Sequence, residues 1–364
     1  MASILSRSYD TRRAPFCAHP VARYHCLRPA GQRTADLGRS DAMGLARPVL
    51  LLSICAATLL PVTSLQAQTV KKVSDGQVSK TAPNWANFIA NDKGFFRREG
   101  VEPETIYVGN VANTVQQLVA GSFDVASSTF DTAIRAIANG GNAVLIGGAV
   151  TKYPYSIMTS KDVTSAADMK GKRIILPFAK DLLTSVWNRW LTEQGMQPHD
   201  VEQVYAGATP ARFAALAGGS VQAALLTQPF DFRAAADGYR KLVDLGAYGK
   251  DYGFLTVLAR PQWLRDNPET ARAYLKALSD AVDWLYEPAN REEAIAILVR
   301  NTNVASDIAK ETYDYYVGEL KPFSRKLAIP AEIVRTTART LVELGEIKPE
   351  SASMTFTDLS YLPR

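Results

Sequence analysis

Apolar residues recur along this chain with two periods that take turns. Short apolar runs predict strands near 104–108, 124–127, 143–146, 173–176, 201–205, 223–226 and 254–258. Between them the spacing turns helical. One such stretch starts at Trp85, with Pro83-Asn84 ahead of it and Gly94 behind it. Another runs from Val111 to Ala120 with Val115, Leu118 and Val119 on one face, and others lie near 131–138, 182–194, 211–217 and 230–236. Strands alternating with helices argue for an α/β fold class. Beyond Pro261 the pattern is helical nearly to the end, over 268–286, 291–300, 306–317 and 330–344. There Ala271, Leu275, Leu278, Val282 and Leu285 form a core-facing stripe without chemistry of its own.

Two segments echo one another. Leu118-Val-Ala-Gly-Ser-Phe-Asp-Val-Ala126 and Leu216-Ala-Gly-Gly-Ser-Val-Gln-Ala-Ala224 share the spacing L-x-x-G-S-x-[D/Q]-x-A. Each reads as a helix end, a glycine able to take the left-handed terminating conformation, and a short buried strand. Polar residues come directly after both strands: Ser127-Ser128-Thr129 in one copy and Thr227-Gln228-Pro229 in the other. Ligands of open α/β sheets sit at the carboxyl ends of strands, so both polar segments point where a ligand would go. The repetition predicts two similar lobes.

A separate apolar stretch from Pro48 to Pro61 stands between Arg47 and Leu65-Gln66-Ala67. Its length suits the apolar core of a cleavable signal peptide and is too short to span a bilayer. Residues 1–67 therefore read as a leader cut before Gln68, with Met43 a better start than Met1 and the signal peptide proper at 43–67. Export to the periplasm is the expected location. The leader also changes the composition. Its eight arginines and three aspartates account for the whole formal charge of +5, and Cys17, Cys26 and Cys55 are all inside it. The chain beyond the leader is neutral and free of thiols. That excludes a disulfide framework, a thiolate metal site and a cysteine nucleophile, and it removes the basic excess of a nucleic-acid binder. His199 is the one histidine left, in a helix-start context. No metal or other cofactor is expected.

Phe88-Ile-Ala-Asn-Asp-Lys-Gly-Phe-Phe-Arg-Arg-Glu-Gly-Val-Glu102 resembles a segment of type II periplasmic solute-binding proteins, in the nitrate, sulfonate, taurine and thiamine-pyrimidine-precursor group that serves ABC importers. Leu118–Ala126 and Ser165-Ala-Ala-Asp-Met-Lys-Gly-Lys-Arg-Ile174 are similar to two more of its segments. Leu216–Ala224 matches a fourth, with Gln222 in place of the usual Asp, a departure that bears on a capping bond there. The resemblance spans roughly residues 75–345. It implies a two-lobed type II fold with discontinuous lobes, 68–157 plus 258–364 and 158–257, joined by two crossover strands, and a helical C-terminal part. It also implies a small-molecule ligand held between the lobes and a membrane permease as partner, the protein itself being a monomer.

On this basis Asn84 and Trp85, at the start of the first helix, are candidate contacts, the indole being able to stack on a planar ligand. Ser127, Ser128 and Thr129 offer hydroxyls ahead of a helix, Thr184 and Ser185 open another, Tyr153 stands near a crossover beside Tyr155, and Gln228 lies just past the second echo strand. Lys152 and Arg189 read as solvated. The expected function is capture of a sulfonate, aromatic acid or pyrimidine for import, with no catalysis. An enzyme on the same fold and a ligand-sensing domain for a membrane receptor stay open as alternatives.

Overall fold

The computed structural model describes residues 70–364. The expected leader, its cysteines and its cleavage site lie outside the described residues. The chain begins with β1 (Lys71–Gln77), α1 (Trp85–Asp92), α2 (Phe95–Arg98), β2 (Val101–Tyr107), α3 (Val111–Val119), β3 (Val125–Thr129), α4 (Phe130–Ala138) and β4 (Val144–Val150). It continues through β5 (Tyr155–Thr159), β6 (Arg173–Leu176), α5 (Leu182–Glu193), β7 (Glu202–Tyr205), α6 (Thr209–Ala217), β8 (Ala223–Thr227), α7 (Phe230–Ala236) and β9 (Arg240–Asp244). It closes with β10 (Leu255–Ala259), α8 (Pro261–Asp266), α9 (Pro268–Leu285), α10 (Arg291–Thr302), α11 (Ser306–Tyr313) and α12 (Ala331–Glu343).

The strands form two five-stranded sheets, ordered β2-β1-β3-β10-β4 and β7-β6-β8-β5-β9. The sheets have the same plan. In each, the second strand of this order, β1 or β6, lies between two parallel neighbours, and an antiparallel strand is inserted beside the third. The inserted strands, β10 and β5, are the ones the chain enters directly after crossing from the other sheet. The crossings fall at 151–154 and 245–254. β3, β5, β8 and β10 are buried along their whole length.

The echoed segments occupy matching places, α3 into β3 and α6 into β8. Gly121 and Gly219 both take positive φ, 91° and 71°. The next amide reaches back the same way in each copy, Ser122 N–H to Gln117 O at 2.9 Å and Ser220 N–H to Ala215 O at 3.1 Å. Only glycine takes this conformation without crowding its own Cβ. The Asp/Gln position matches as well. Asp124 accepts from the Ser74 amide at 3.0 Å, and Gln222 accepts from the Arg173 amide at 3.1 Å. The substitution keeps the capping bond.

β1, β5 and β9 are absent from the strands the apolar pattern predicts; β5 is expected only as a crossover strand implied by the resemblance, and β1 and β9 are missed for a physical reason. β1 buries Asp75 and Gln77 instead of an apolar row, and β9 is a half-exposed edge strand beginning Arg240-Lys241. The helix expected over 306–317 ends at Tyr313 and continues as a wider π-helical turn, Asp314–Leu320. The C-terminal segment returns to the first sheet. Leu145 donates to Phe356 O and accepts from the Asp358 amide, both at 2.9 Å, along the edge of β4.

Candidate functional site

The carboxyl ends of β1, β3, β6 and β7 face a cleft between the two lobes. It is nearly closed in this structure, with room of about 30 Å³ for a water-sized sphere. The first lobe contributes Ser79, Thr81 and Asn84 after β1, and Thr129 at the end of β3. The second contributes Phe178 and Asp181 from the loop after β6, and Gly207 to Thr209 from the loop after β7. Tyr155 and Phe254, beside the two crossings, complete the wall and meet edge-on with ring centroids 5.0 Å apart.

The lobes touch across this cleft. The Ala82 amide donates to Gln228 O at 3.0 Å, and the Leu182 amide donates to Asp131 Oδ2 at 3.1 Å. Arg135 Nη2 donates to Lys180 O at 2.6 Å. On the first-lobe side Asn84 is held by a buried relay. Its Nδ2 donates to Gln77 Oε1 at 2.7 Å, and Gln77 Nε2 donates to Asp75 Oδ1 at 2.8 Å. Burial pushes the Asp75 carboxyl up to about 6, against hydrogen bonds from Gln77 and Thr105 that favour its charge.

On the second-lobe side Asp181 caps α5, its Oδ1 accepting from the Leu183 amide at 2.8 Å. It is nearly solvent-free. Desolvation and the nearby Asp131 charge hold its carboxyl well above the ordinary range. Arg212 lies beneath the α6 end of the cleft, also buried. Its guanidinium donates to Leu225 O at 2.7 Å, Ala206 O at 3.0 Å, Gly207 O, and Thr209 Oγ1 at 2.9 Å. It fastens the loop that lines the site.

Of the residues expected from sequence, Asn84 and Thr129 line the cleft. The Thr129 hydroxyl donates to Thr132 Oγ1 at 2.9 Å and does not cap α4. The others lie behind the cleft walls, all but Ser185 of them buried. Trp85 turns into the core, where Nε1 donates to Ala294 O at 3.1 Å and the ring meets Tyr313 and Tyr316. Ser127 is buried within β3, and Ser128 Oγ donates to Val111 O at 3.2 Å. Thr184 Oγ1 donates to Phe178 O at 2.9 Å, and Ser185 Oγ leans on Asp181 O at 3.5 Å. Tyr153 packs on Tyr252 and Phe254 where the crossings meet. Gln228 Nε2 donates to Asp231 Oδ2 at 2.6 Å. Asp181 and Thr209 were not foreseen. The signal that could have found them is the pairing of each lobe's strand ends: α1 and α5 come after β1 and β6, α3 and α6 after β2 and β7, and all four begin at this cleft.

The NMT1/THI5-like family profile matches residues 83–291, more than half of the chain. The chain belongs to this family. Among relatives of this NMT1/THI5-like protein is YtlA of Bacillus subtilis, named as a candidate binding protein; it is 22% identical over 69% of this chain and 77% of its own. Two solved structures share the fold. The alkanesulfonate-binding protein SsuA of Xanthomonas axonopodis, bound to MOPS, is 18% identical with a TM-score of 0.62, over 76% of this chain and 93% of its own. The periplasmic nitrate-binding protein NrtA of Synechocystis PCC 6803 is 17% identical with a TM-score of 0.61, over 78% and 84%. These likenesses bear out the two-lobed type II fold and the resemblance drawn from the motifs.

Proposed function

We propose that this NMT1/THI5-like protein is the solute-capturing component of an ABC-type importer, exported to the periplasm, where it acts as a monomer without catalysis. One observation carries the reading: polar and aromatic side chains of two lobes with the same plan converge on one cleft, and the lobes hydrogen-bond to each other around it. Such a site closes on its ligand by shifting an open–closed equilibrium, and the closed form is what a permease would recognise. The names of YtlA, SsuA and NrtA support it. In this reading the lobes are broadly 68–157 with 258–364 and 158–257, flexing at the crossings 151–154 and 245–254. The ligand is a small organic molecule or anion of the sulfonate, aromatic acid or pyrimidine class, and Asn84 and Thr129 touch it.

The test is a melting-temperature panel on residues 68–364. A ligand at about a hundred times its dissociation constant adds roughly 2.7 kcal/mol of stability. Small-angle scattering should show the same compound contracting the molecule. Chemical turnover of the stabilising compound, or stabilisation without contraction, would count against a capture protein.

A further inference from the structure

We propose that Arg212 positions two backbone amides for the ligand. It holds the Ala206 and Gly207 carbonyls from beneath, which turns the Gly207 and Ala208 N–H groups into the cleft to grip a terminal oxygen of the ligand. That oxygen belongs to a carbonyl, a carboxylate or a sulfonate. The proposal rests on the cleft being the binding site and names the part of the ligand that the second lobe holds.

The loop after β7 runs through Ala206-Gly207-Ala208 into α6. A single nitrogen of Arg212, Nη1, donates to Ala206 O at 3.0 Å and also to Gly207 O. Both peptide units are trans, so each N–H points away from the carbonyl that shares its plane. With the two carbonyls converging on Arg212, the Gly207 and Ala208 N–H groups face the other way. Gly207 and Ala208 line the cleft, and Arg212 does not. Neither N–H has an acceptor among the described residues. Successive amides aimed to one side, at the start of a helix, form a cradle for an oxygen with two lone pairs.

The first lobe holds the same turn differently. Tyr107-Val-Gly-Asn110 leads into α3 as Tyr205-Ala-Gly-Ala208 leads into α6, at the spacing of the L-x-x-G-S echo. The copies start alike: the Val108 amide donates to Gln77 O at 2.8 Å, and the Ala206 amide donates to Leu176 O at 2.9 Å. Then they diverge. The Gly109 amide donates onward to Val78 O at 2.9 Å, a tie that Gly207 lacks. Asn110 Oδ1 caps α3 by accepting from the Ala112 and Asn113 amides, whereas Ala208 has no side chain to cap α6. Thr114 Oγ1 donates to Asn110 O at 2.8 Å, and in its place the second lobe has Arg212, reaching further back along the loop. Only the second copy pins the carbonyls and leaves the amides open.

Two more observations call for such an oxygen. Thr81 lines the cleft from the first lobe, 3% exposed, and its hydroxyl has no partner among the described residues. It adds a donor from the opposite wall. Arg212 is itself a buried cation with no carboxylate in ion-pair reach among the described residues, Asp181 acting on it through space alone. A buried cation left this way is costly. A full or partial negative charge on the far side of the loop offsets that cost, beyond what the two hydrogen bonds contribute.

Benzamide, benzoate and benzenesulfonate carry a terminal oxygen on one ring, and benzylamine carries none; the four join the wider panel as probes against residues 68–364. The oxygen-bearing compound that stabilises the protein should slow hydrogen exchange at the Gly207 and Ala208 amides by about tenfold or more at saturation, read by NMR. Which compound does so distinguishes a carbonyl from a carboxylate or a sulfonate, and benzylamine should do neither. Ala208→Pro deletes one of these amides at a φ of −88°, near the range proline fixes, and costs no hydrogen bond among the described residues. It should melt as the wild type does and bind that compound about tenfold more weakly. Arg212→Lys keeps the charge but cannot span both carbonyls, so the bound protein should lose its protection at 207 and 208. A merely structural Arg212 would lower the melting temperature and leave that protection in place. Unprotected amides beside a stabilising compound, undiminished binding by Ala208→Pro, or stabilisation by benzylamine alone overturns the assignment and leaves ligand capture standing. If Ala208→Pro does not fold, the exchange measured on the wild type decides. No stabilisation by any compound of the panel overturns both.

Discussion

Asp231 is buried at the start of α7, where its carboxyl accepts from Gln228 Nε2 at 2.6 Å, the Phe232 amide at 2.8 Å and Ser156 Oγ at 3.1 Å. Desolvation still outweighs these bonds and pushes its pKa up to about 7. A carboxyl raised this way holds its proton more tightly in the native state than in the unfolded one. Its contribution therefore falls as pH rises from about 4, the unfolded value, to about 7. Exposed Asp162, held down to about 2 chiefly by Lys172, runs the opposite way, so the useful quantity is a difference between variants. The stability of wild type minus that of Asp231→Asn should decline across pH 4 to 7, by at most about 4 kcal/mol, measured by urea unfolding at each pH. A difference that stayed flat with pH would mean Asp231 ionises as freely in the fold as outside it. The same burial explains what was legible of the site at this scale. The sequence marks Ser128, Thr184, Ser185 and Gln228 as polar residues at strand or helix ends, but it cannot show that their bonds go to the protein itself. Trp85 is the sharpest case, since its indole partner Ala294 lies 209 residues away.

Elements were most legible where they repeat. The L-x-x-G-S echo located two helix ends, two positive-φ glycines and two central strands, because the left-handed turn allows few residues besides glycine. A Phe-Asp pair also opens the helix after each copy, Phe130-Asp131 in α4 four residues past the first and Phe230-Asp231 in α7 six residues past the second. β1 was not legible, because its buried side chains are polar and answer to Asn84 and Thr105. Gln222 tests how far the two copies are equivalent. Its Oε1 ties the start of β6 to the start of β8 as Asp124 ties β1 to β3. Gln222→Ala should cost about 1 kcal/mol in urea unfolding, the worth of one partly exposed hydrogen bond. Gln222→Asp should recover most of it, since Asp124 makes that bond in the other lobe. Equal losses from both substitutions would show that the two positions do different work.

For the whole molecule the open question is how closing couples to binding, and Gly207 gives a handle on it. A methyl group there would run into the Gly109 carbonyl and the Asn110 Cα of the opposite lobe, which are backbone atoms that cannot turn aside. The obstruction exists only while the lobes touch; within its own lobe the position is not held at positive φ. Gly207→Ala should leave the unliganded protein within about 0.5 kcal/mol of wild type, as for a surface substitution away from the core. Its effect belongs to the closed form. If the clash raises the closed state by about 1.4 kcal/mol, apparent ligand affinity drops about tenfold without any contact to the ligand being lost. Small-angle scattering at saturating ligand should then return the wild-type closed dimensions, reached at higher concentration. Tyr153 supplies the contrast, because its ring packs on Gly249 and Tyr252 where both crossings meet and is needed in either state. Tyr153→Ala should lose about 3–5 kcal/mol of stability with or without ligand, as for other buried aromatics. Two variants that separate in this way, one moving affinity alone and the other stability alone, would show two rigid lobes with a movable seam. If Gly207→Ala lost stability in proportion to affinity, the seam would instead be part of one continuous core, and the cleft would not open at the crossings.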